Sequence, residues 1–233
     1  MLIYQSSNFK IYKAHTKRCN CFLIDHDDKL VLWDTSMGFE IDKIYQEIEK
    51  TKLQKLCAIF ISHSHSDHVG NAQELSTHFK CPVYVHAKGV NHLKNGYCPV
   101  PQGITCVSKI IYKLSQKLSS IYDFSKIKPC TNVHELTDEI LKSYLGEKSQ
   151  LIEVLRHTND SLALVLENKL CLVGDGFVNM LGIFRPPFAD YPNELKTTWQ
   201  KLLSLECDEY YPSHGKKMSL EELSSKITHM LRS

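Results

Sequence analysis

Residues 56–71 read LCAIFISHSHSDHVGN. The first six, Leu56 to Ile61, are uniformly apolar. They are too few for an amphipathic helix, so they predict a buried strand. Directly past that strand stand His63, His65, Asp67 and His68. Side chains at i and i+2 of an extended segment point the same way, so His63 and His65 can face one cation. Asp67 and His68 follow in a turn and can face a second. Imidazole and carboxylate are good ligands for zinc, and also for iron or manganese.

Working outward, Ile11-Tyr12, Cys21 to Ile24 and Leu30 to Trp33 are short apolar runs broken by polar clusters such as His26-Asp27-Asp28, which predicts strands. Phe39, Ile41, Ile44, Tyr45 and Ile48 recur at helical spacing. A helix is expected over 70–79 and a strand over 82–85. Residues 88–130 are less regular, with breaks at Pro99 and Pro101. Within them Ile110, Ile111, Leu114, Leu118, Ile121 and Tyr122 form a helical stripe, read as a packing face or as an insertion around 104–128 that roofs a pocket. Strands return at 151–155, 161–167 and 169–173, with Asn168-Lys169 expected to turn a hairpin between the last two. Helices follow around Leu195 to Leu203 and Leu220 to Leu231. The order predicts one α/β domain over 1–233, with two mixed halves stacked sheet on sheet and helices outside.

Composition narrows the classes. A net charge of +2 gives no reason to expect a polyanionic partner. Neither a secretory leader nor an apolar run of membrane-spanning length is visible, so a cytoplasmic protein with no membrane partner is expected. Nine scattered cysteines do not form a disulfide framework. Cys19 and Cys21, one residue apart, come nearer a metal-binding spacing, but no second pair stands nearby.

Further ligand-type residues sit just past apolar runs: His157 after 151–156, Asp175 after 170–174, and His214 after Tyr210-Tyr211-Pro212-Ser213. Asp175, between two glycines, can bring a carboxylate close to two cations at once. His15, His26, His78, His86, His92, His134 and His229 lack such a setting and are read as structural.

His63-x-His65-x-Asp67-His68, then His157, Asp175 and His214 in that order, resembles the metallo-β-lactamase-fold hydrolase superfamily, and Asp34 in Leu32-Trp33-Asp34-Thr35 resembles its early acidic residue. The resemblance implies an αββα sandwich of two mixed β-sheets with helices on the outer faces. It implies two divalent metal ions, zinc first and iron or manganese next. His63, His65 and His157 would hold one ion, Asp67, His68 and His214 the other, and Asp175 would bridge them. Asp67 and Asp175 would be the catalytic carboxylates around a metal-bridging hydroxide, with Asp34 aligning a ligand or the loop that bears the cluster.

The expected substrate is a small ester, thioester or lactone. Two alternatives stay open: a phosphodiesterase or nuclease on the same metal core, and a metal-binding protein without turnover. The intact ligand set and the lack of an extended basic arm weigh against both, and nucleic acid is not an expected partner. Only 19 residues follow His214, short of the C-terminal helical region of glyoxalase II, so small thioesters are favoured over glutathione thioesters. Gly176-Phe177-Val178-Asn179-Met180 lacks the tyrosine of quorum-sensing lactonases. Phe177, Met180, Phe184, Arg185 and Phe188 are candidate pocket residues, with Arg185 facing an anionic group. The 89 positions from His68 to His157 hold the 104–128 segment, read as a lid or the surface of a homodimer.

Overall fold

The apolar run before the histidines does form a strand, flanked on both sides by others. The computed structural model describes residues 1–14, 16–118, 123 and 125–232. Ile121 and Tyr122 of the predicted stripe, and His15, lie outside the described residues. The strands are β1 (Leu2–Gln5), β2 (Lys10–Lys13), β3 (Phe22–His26), β4 (Lys29–Trp33), β5 (Ala58–Phe60), β6 (Val83–Val85), β7 (Val133–Glu135), β8 (Ser149–Glu153), β9 (Leu162–Leu166), β10 (Leu170–Gly174), β11 (Glu209–Pro212) and β12 (Met218–Ser219). The helices are α1 (Ile41–Glu49), α2 (Ser66–Val69), α3 (Ala72–Phe79), α4 (Ala87–Lys94), α5 (Cys106–Lys117), α6 (Asp138–Leu145), α7 (Leu195–Leu203) and α8 (Leu220–Arg232). Among the described residues no helix is long and apolar enough to cross a membrane.

The chain divides into two compact units, residues 1–99 with 125–146 and residues 100–124 with 147–233. The first holds a seven-stranded mixed sheet in the order β1-β2-β3-β4-β5-β6-β7. It is antiparallel up to β4 and parallel from β4 to β7. Leu23, Leu32, Ile59, Val83 and Val85 share one cluster with Ile44 and Ile48 of α1, Leu75 of α3 and Leu93 of α4. The intervening residues Phe22, Ile24, Val31, Trp33 and Phe60 are buried as well. Burial of both faces explains why these strands read as continuous apolar runs instead of alternating ones.

The second unit holds a five-stranded mixed sheet, β12-β11-β10-β9-β8, in which only β10 and β11 run parallel. Ala163, Val165, Cys171, Val173 and Tyr210 pack with Trp199 and Leu202 of α7 and with Leu223 and Ile227 of α8. The β9–β10 hairpin turns one residue earlier than the sequence suggests. Leu166 pairs with Leu170, and the left-handed corner residues are Glu167 (φ +56°) and Asn168 (φ +54°). A tight two-residue turn needs positive φ at both corners, and Lys169 instead closes it through its N–H to Leu166 O.

The stripe on α5 departs from the packing-face reading. Ile110, Ile111, Leu114 and Leu118 point outward, and the edge that seats the helix is Ser108, Tyr112 and Ser115.

In the first unit Glu40 ties two loops together. Its carboxylate is buried and accepts from the Lys17 N–H (2.7 Å), the Arg18 N–H (3.0 Å), the Ser36 hydroxyl (2.8 Å) and the Lys43 ammonium (2.6 Å). Burial raises the pKa of this carboxyl, but the donors from Lys43, Lys17, Ser36 and Arg18 outweigh it and hold the group at about 2, down from 4.5. A depressed folded pKa means stability that is present above the unfolded value and lost as pH falls through the folded one. The shift corresponds to about 3 kcal/mol, lost between pH 4.5 and about 2. Urea midpoints of metal-free protein over this range should fall more steeply for the natural chain than for Glu40→Gln. Parallel curves would show that Glu40 is not depressed.

Candidate metal centre

The parallel pair β4–β5 sets up one half of the constellation. Trp33 is in register with Phe60, and the Asp34 N–H donates to Phe60 O (2.9 Å), so Asp34 and Ser62 leave the same end of neighbouring strands. Asp34 takes a left-handed conformation (φ +61°), which an aspartate tolerates better than most residues. Its carboxylate is fully buried. Oδ1 accepts from the Ser62 N–H (2.8 Å), and Oδ2 accepts from the Ser62 hydroxyl (2.8 Å) and from His68 Nδ1 (2.9 Å).

This network sets the tautomers. An ionised carboxylate only accepts, so His68 carries its proton on Nδ1. The Ser62 hydroxyl donates its hydrogen bond to Asp34, so its oxygen is left to accept from His63 Nδ1 (3.0 Å). Both imidazoles therefore present Nε2 with a lone pair, the form a metal needs. His63 Nε2 lies 2.9 Å from His65 Nδ1, close enough for one cation to replace the proton the two share. His68 Nε2 lies 3.8 Å from Asp67 Oδ1. The four residues of the cluster thus form two donor pairs.

The cluster is braced from behind. Thr35 donates to His68 O through its N–H (2.7 Å) and its hydroxyl (2.8 Å). Asn71 Nδ2 donates to Thr35 O (2.7 Å) and Met37 O (2.8 Å). A Cβ on Gly70 would stand 2.7 Å from Ser36 O and 2.8 Å from Gly38 N, so only glycine lets the loop close this tightly. Ser64, between His63 and His65, meets His92 Nδ1 at 3.1 Å. Cys19 Sγ approaches His68 Nδ1 (3.5 Å) and Asp34 Oδ2 (3.9 Å), making a third group of ligand-type atoms. Burial first, then Cys21, Asp34 and Asp67, pushes this thiol well above its ordinary pKa. It stays a neutral neighbour, poorly suited to thiolate ligation. Ser62 and Asn71 carried no sequence signal of a role here and His92 was read as structural, because each acts through a fold-dependent neighbour; the Cys19–Cys21 spacing pointed toward a metal, and the structure sets Cys19 beside Asp34 and His68.

The second unit repeats the device. β10 and β11 are parallel with Gly174 opposite Pro212, so Asp175 and His214 leave the same end of adjacent strands. His157 Nε2 and His214 Nε2 both lie 3.4 Å from Asp175 Oδ2. The chain before His157 is strained, with Arg156 at φ +130°. Tyr191 N–H on Arg156 O (3.0 Å) and Asp190 N–H on His157 O (2.8 Å) hold it there. His214 is fixed by Asn179 N–H on its carbonyl (2.9 Å), and a Cβ on Gly215 (φ +107°) would fall 2.0 Å from Asn179 O. Trp199 Nε1 donates to Gly176 O (2.9 Å) beneath the loop that follows Asp175.

The candidate pocket residues fall into two groups. Phe177 and Phe184 are buried and stack at 5.1 Å, with Trp199 5.1 Å beyond. Met180 is exposed and Phe188 half-buried. Arg185 Nη2 donates to Pro192 O (2.9 Å). Neutral imidazole nitrogens beside carboxylate oxygens, in buried or half-buried settings, are a donor set that fits zinc, iron or manganese.

Comparison with known proteins agrees with this chemistry. Residues 16–104 match the model of the metallo-beta-lactamase superfamily. The probable metallo-hydrolase MJ0888 of Methanocaldococcus jannaschii is 26% identical over 192 residues, covering 80% of this chain and 83% of that protein. The probable metallo-hydrolase YqgX of Bacillus subtilis is 34% identical over 76 residues, 33% of this chain and 35% of that protein. Among solved structures, the archaeal metallo-beta-lactamase superfamily protein ST1585 from Sulfolobus tokodaii superposes with a TM-score of 0.66 at 16% identity, covering 95% of this chain and 86% of that one. TTHA1623 in a di-iron-bound form gives 0.62 at 22% identity, covering 92% and 96%. At these identities the likeness establishes the fold, with its two mixed sheets.

The Asp34 network yields a prediction. Asp34→Asn places an amide where Ser62 and His68 need an acceptor and reverses the His68 tautomer. Zinc affinity, read by competition with a chromophoric chelator, should fall about 10–100-fold while the circular dichroism spectrum is kept. Unchanged affinity would remove Asp34 from the account.

Proposed function

We propose, from the match of residues 16–104 to the metallo-beta-lactamase superfamily model and the likeness to the probable metallo-hydrolase MJ0888, that this chain is a member of that superfamily and acts as a dinuclear metal-dependent hydrolase of small ester, thioester or lactone substrates. His63, His65 and His157 hold one ion in this reading, and Asp67, His68 and His214 the other, with Asp175 shared. The observation that carries it is the convergence of two imidazole nitrogens on one oxygen of Asp175, alongside two histidines whose tautomers are already set for ligation. Zinc is the proposed metal. Iron is the alternative to test, since TTHA1623 is known in a di-iron-bound form.

When bound, such ions lower the pKa of a coordinated water toward neutrality and polarise the scissile carbonyl. The chain's own residues do the rest. Asp175 draws His157 and His214 together and would offer bound metal an anionic oxygen. Asp67 would help to orient the attacking water. Asp34 acts through His68 and, by way of Ser62, through His63, keeping both rings in ligating form before the metal arrives. Met180 and Phe188 meet the substrate, and Phe177 and Phe184 stiffen the loop beneath them.

Proton release from metal-loaded protein, followed with a pH indicator, tests this across thioesters, lactones, simple esters and phosphodiesters. Turnover is expected with one of the first three classes. Asp175→Asn should lower it at least about a hundredfold with the fold intact by circular dichroism. Natural turnover in that variant would overturn the shared-carboxylate mechanism. A rate confined to phosphodiesters would overturn the substrate assignment.

A further inference from the structure

Helix α5 is built the wrong way round for a helix of a globular core. Val107, Ile110, Ile111, Leu114 and Leu118 lie within one face at i, i+3, i+4, i+7 and i+11, the spacing of a core stripe. Each is nonetheless 50–67% exposed. The seat is the opposite edge, where Ser108 is buried and Tyr112 and Ser115 are half-buried.

That orientation is fixed at the helix start. Thr105 and Ser108 form a reciprocal capping box. A Cβ on Gly103 would fall 2.2 Å from the Ser108 carbonyl carbon, so the chain before the helix presses directly on its first turn. Gly103 is bridged in turn to Phe188, and the Ile104 N–H donates to Pro187 O (3.0 Å). Rolling the helix to bury its apolar face would break these contacts.

The charge on the helix is one-sided too. Lys109, Lys113 and Lys117 recur every four residues along one flank of the apolar stripe, and α5 has no acidic residue. Among the described residues none of the three lysines forms an ion pair. An exposed apolar stripe of this kind marks an interaction face.

We propose that α5 is a peripheral docking helix for an anionic phospholipid surface, with its apolar stripe lying in the boundary between headgroups and acyl chains and its lysines on the headgroups. A helix with a strong apolar face, a cationic flank and no acids matches what such surfaces select. The lysine row tells against a second copy of the chain as the occupant. Stacking α5 on its twin would set cationic rows beside each other with no carboxylate on either helix to answer them. This docking is independent of the hydrolytic reading, and it goes against the sequence expectation of no membrane partner.

The test is co-sedimentation of the full chain with vesicles of phosphatidylcholine containing about 30% phosphatidylserine, against phosphatidylcholine alone. The protein should pellet with the anionic vesicles, and raised salt should release it. Leu114→Asn should lower partitioning at least about tenfold, and Lys113→Gln roughly fivefold. Both positions face solvent, so circular dichroism and thermal midpoint should stay unchanged. Equal pelleting with neutral vesicles, or no loss in either variant, would overturn the proposal. So would light scattering that finds an oligomer dissolved by Leu114→Asn in a protein that ignores vesicles, since the face would then belong to a second copy.

Discussion

One buried carboxylate orders the histidine cluster. Asp34 sits at the end of β4 and receives three hydrogen bonds at 2.8–2.9 Å from the segment that follows β5. A carboxylate without water must be fully hydrogen-bonded or its burial is prohibitively costly. Satisfying Asp34 therefore fixes Ser62 and His68 in place, and through the Ser62 hydroxyl it fixes the ring of His63. Ligand geometry in this unit follows from solvating one anion with protein groups. The strand pairing that makes it possible is parallel, since two parallel neighbours end on the same side and can lend side chains to one another.

The second unit uses the same construction for a different purpose. There too a parallel pair, β10 with β11, ends in an aspartate beside a ligand-type residue. Asp34 accepts hydrogen bonds from its neighbours, whereas Asp175 meets two imidazole nitrogens through a single oxygen. Glycine permits the close approach in each case. Gly70 allows the loop over 36–38 to touch the end of α2, and Gly215 allows the His214 loop to lie against Asn179. A methyl group at either position would push the histidine-bearing loop away from its aspartate.

The candidate ligands stood out because ligand-type residues placed just after apolar strands form a rare pattern, and their order along the chain is rarer still. The apolar run 56–61, the helix that follows the cluster and the strand at 82–85 were legible for the same reason: their periodicity is set by burial. Helix α4 and helix α6 were missed. Their buried residues are few, Gly89 and Leu93 in one and Leu141 and Leu145 in the other, too few to make a periodic signal. The α5 stripe misled, because periodicity reports which residues share a face and not whether that face turns inward. The turn at Glu167-Asn168 was displaced by one residue because a lysine and a glutamate give no strong preference for positive φ. Ser62 was invisible because its role depends on a distance of 2.8 Å to a residue remote in sequence.

The central proposal is that the chain holds a pair of metal ions. It is tested most directly by counting metal per chain, by mass spectrometry of protein reconstituted with zinc or iron and freed of loose ion. The account predicts two ions per chain. A chain that saturates at one ion, or retains none, would contradict it.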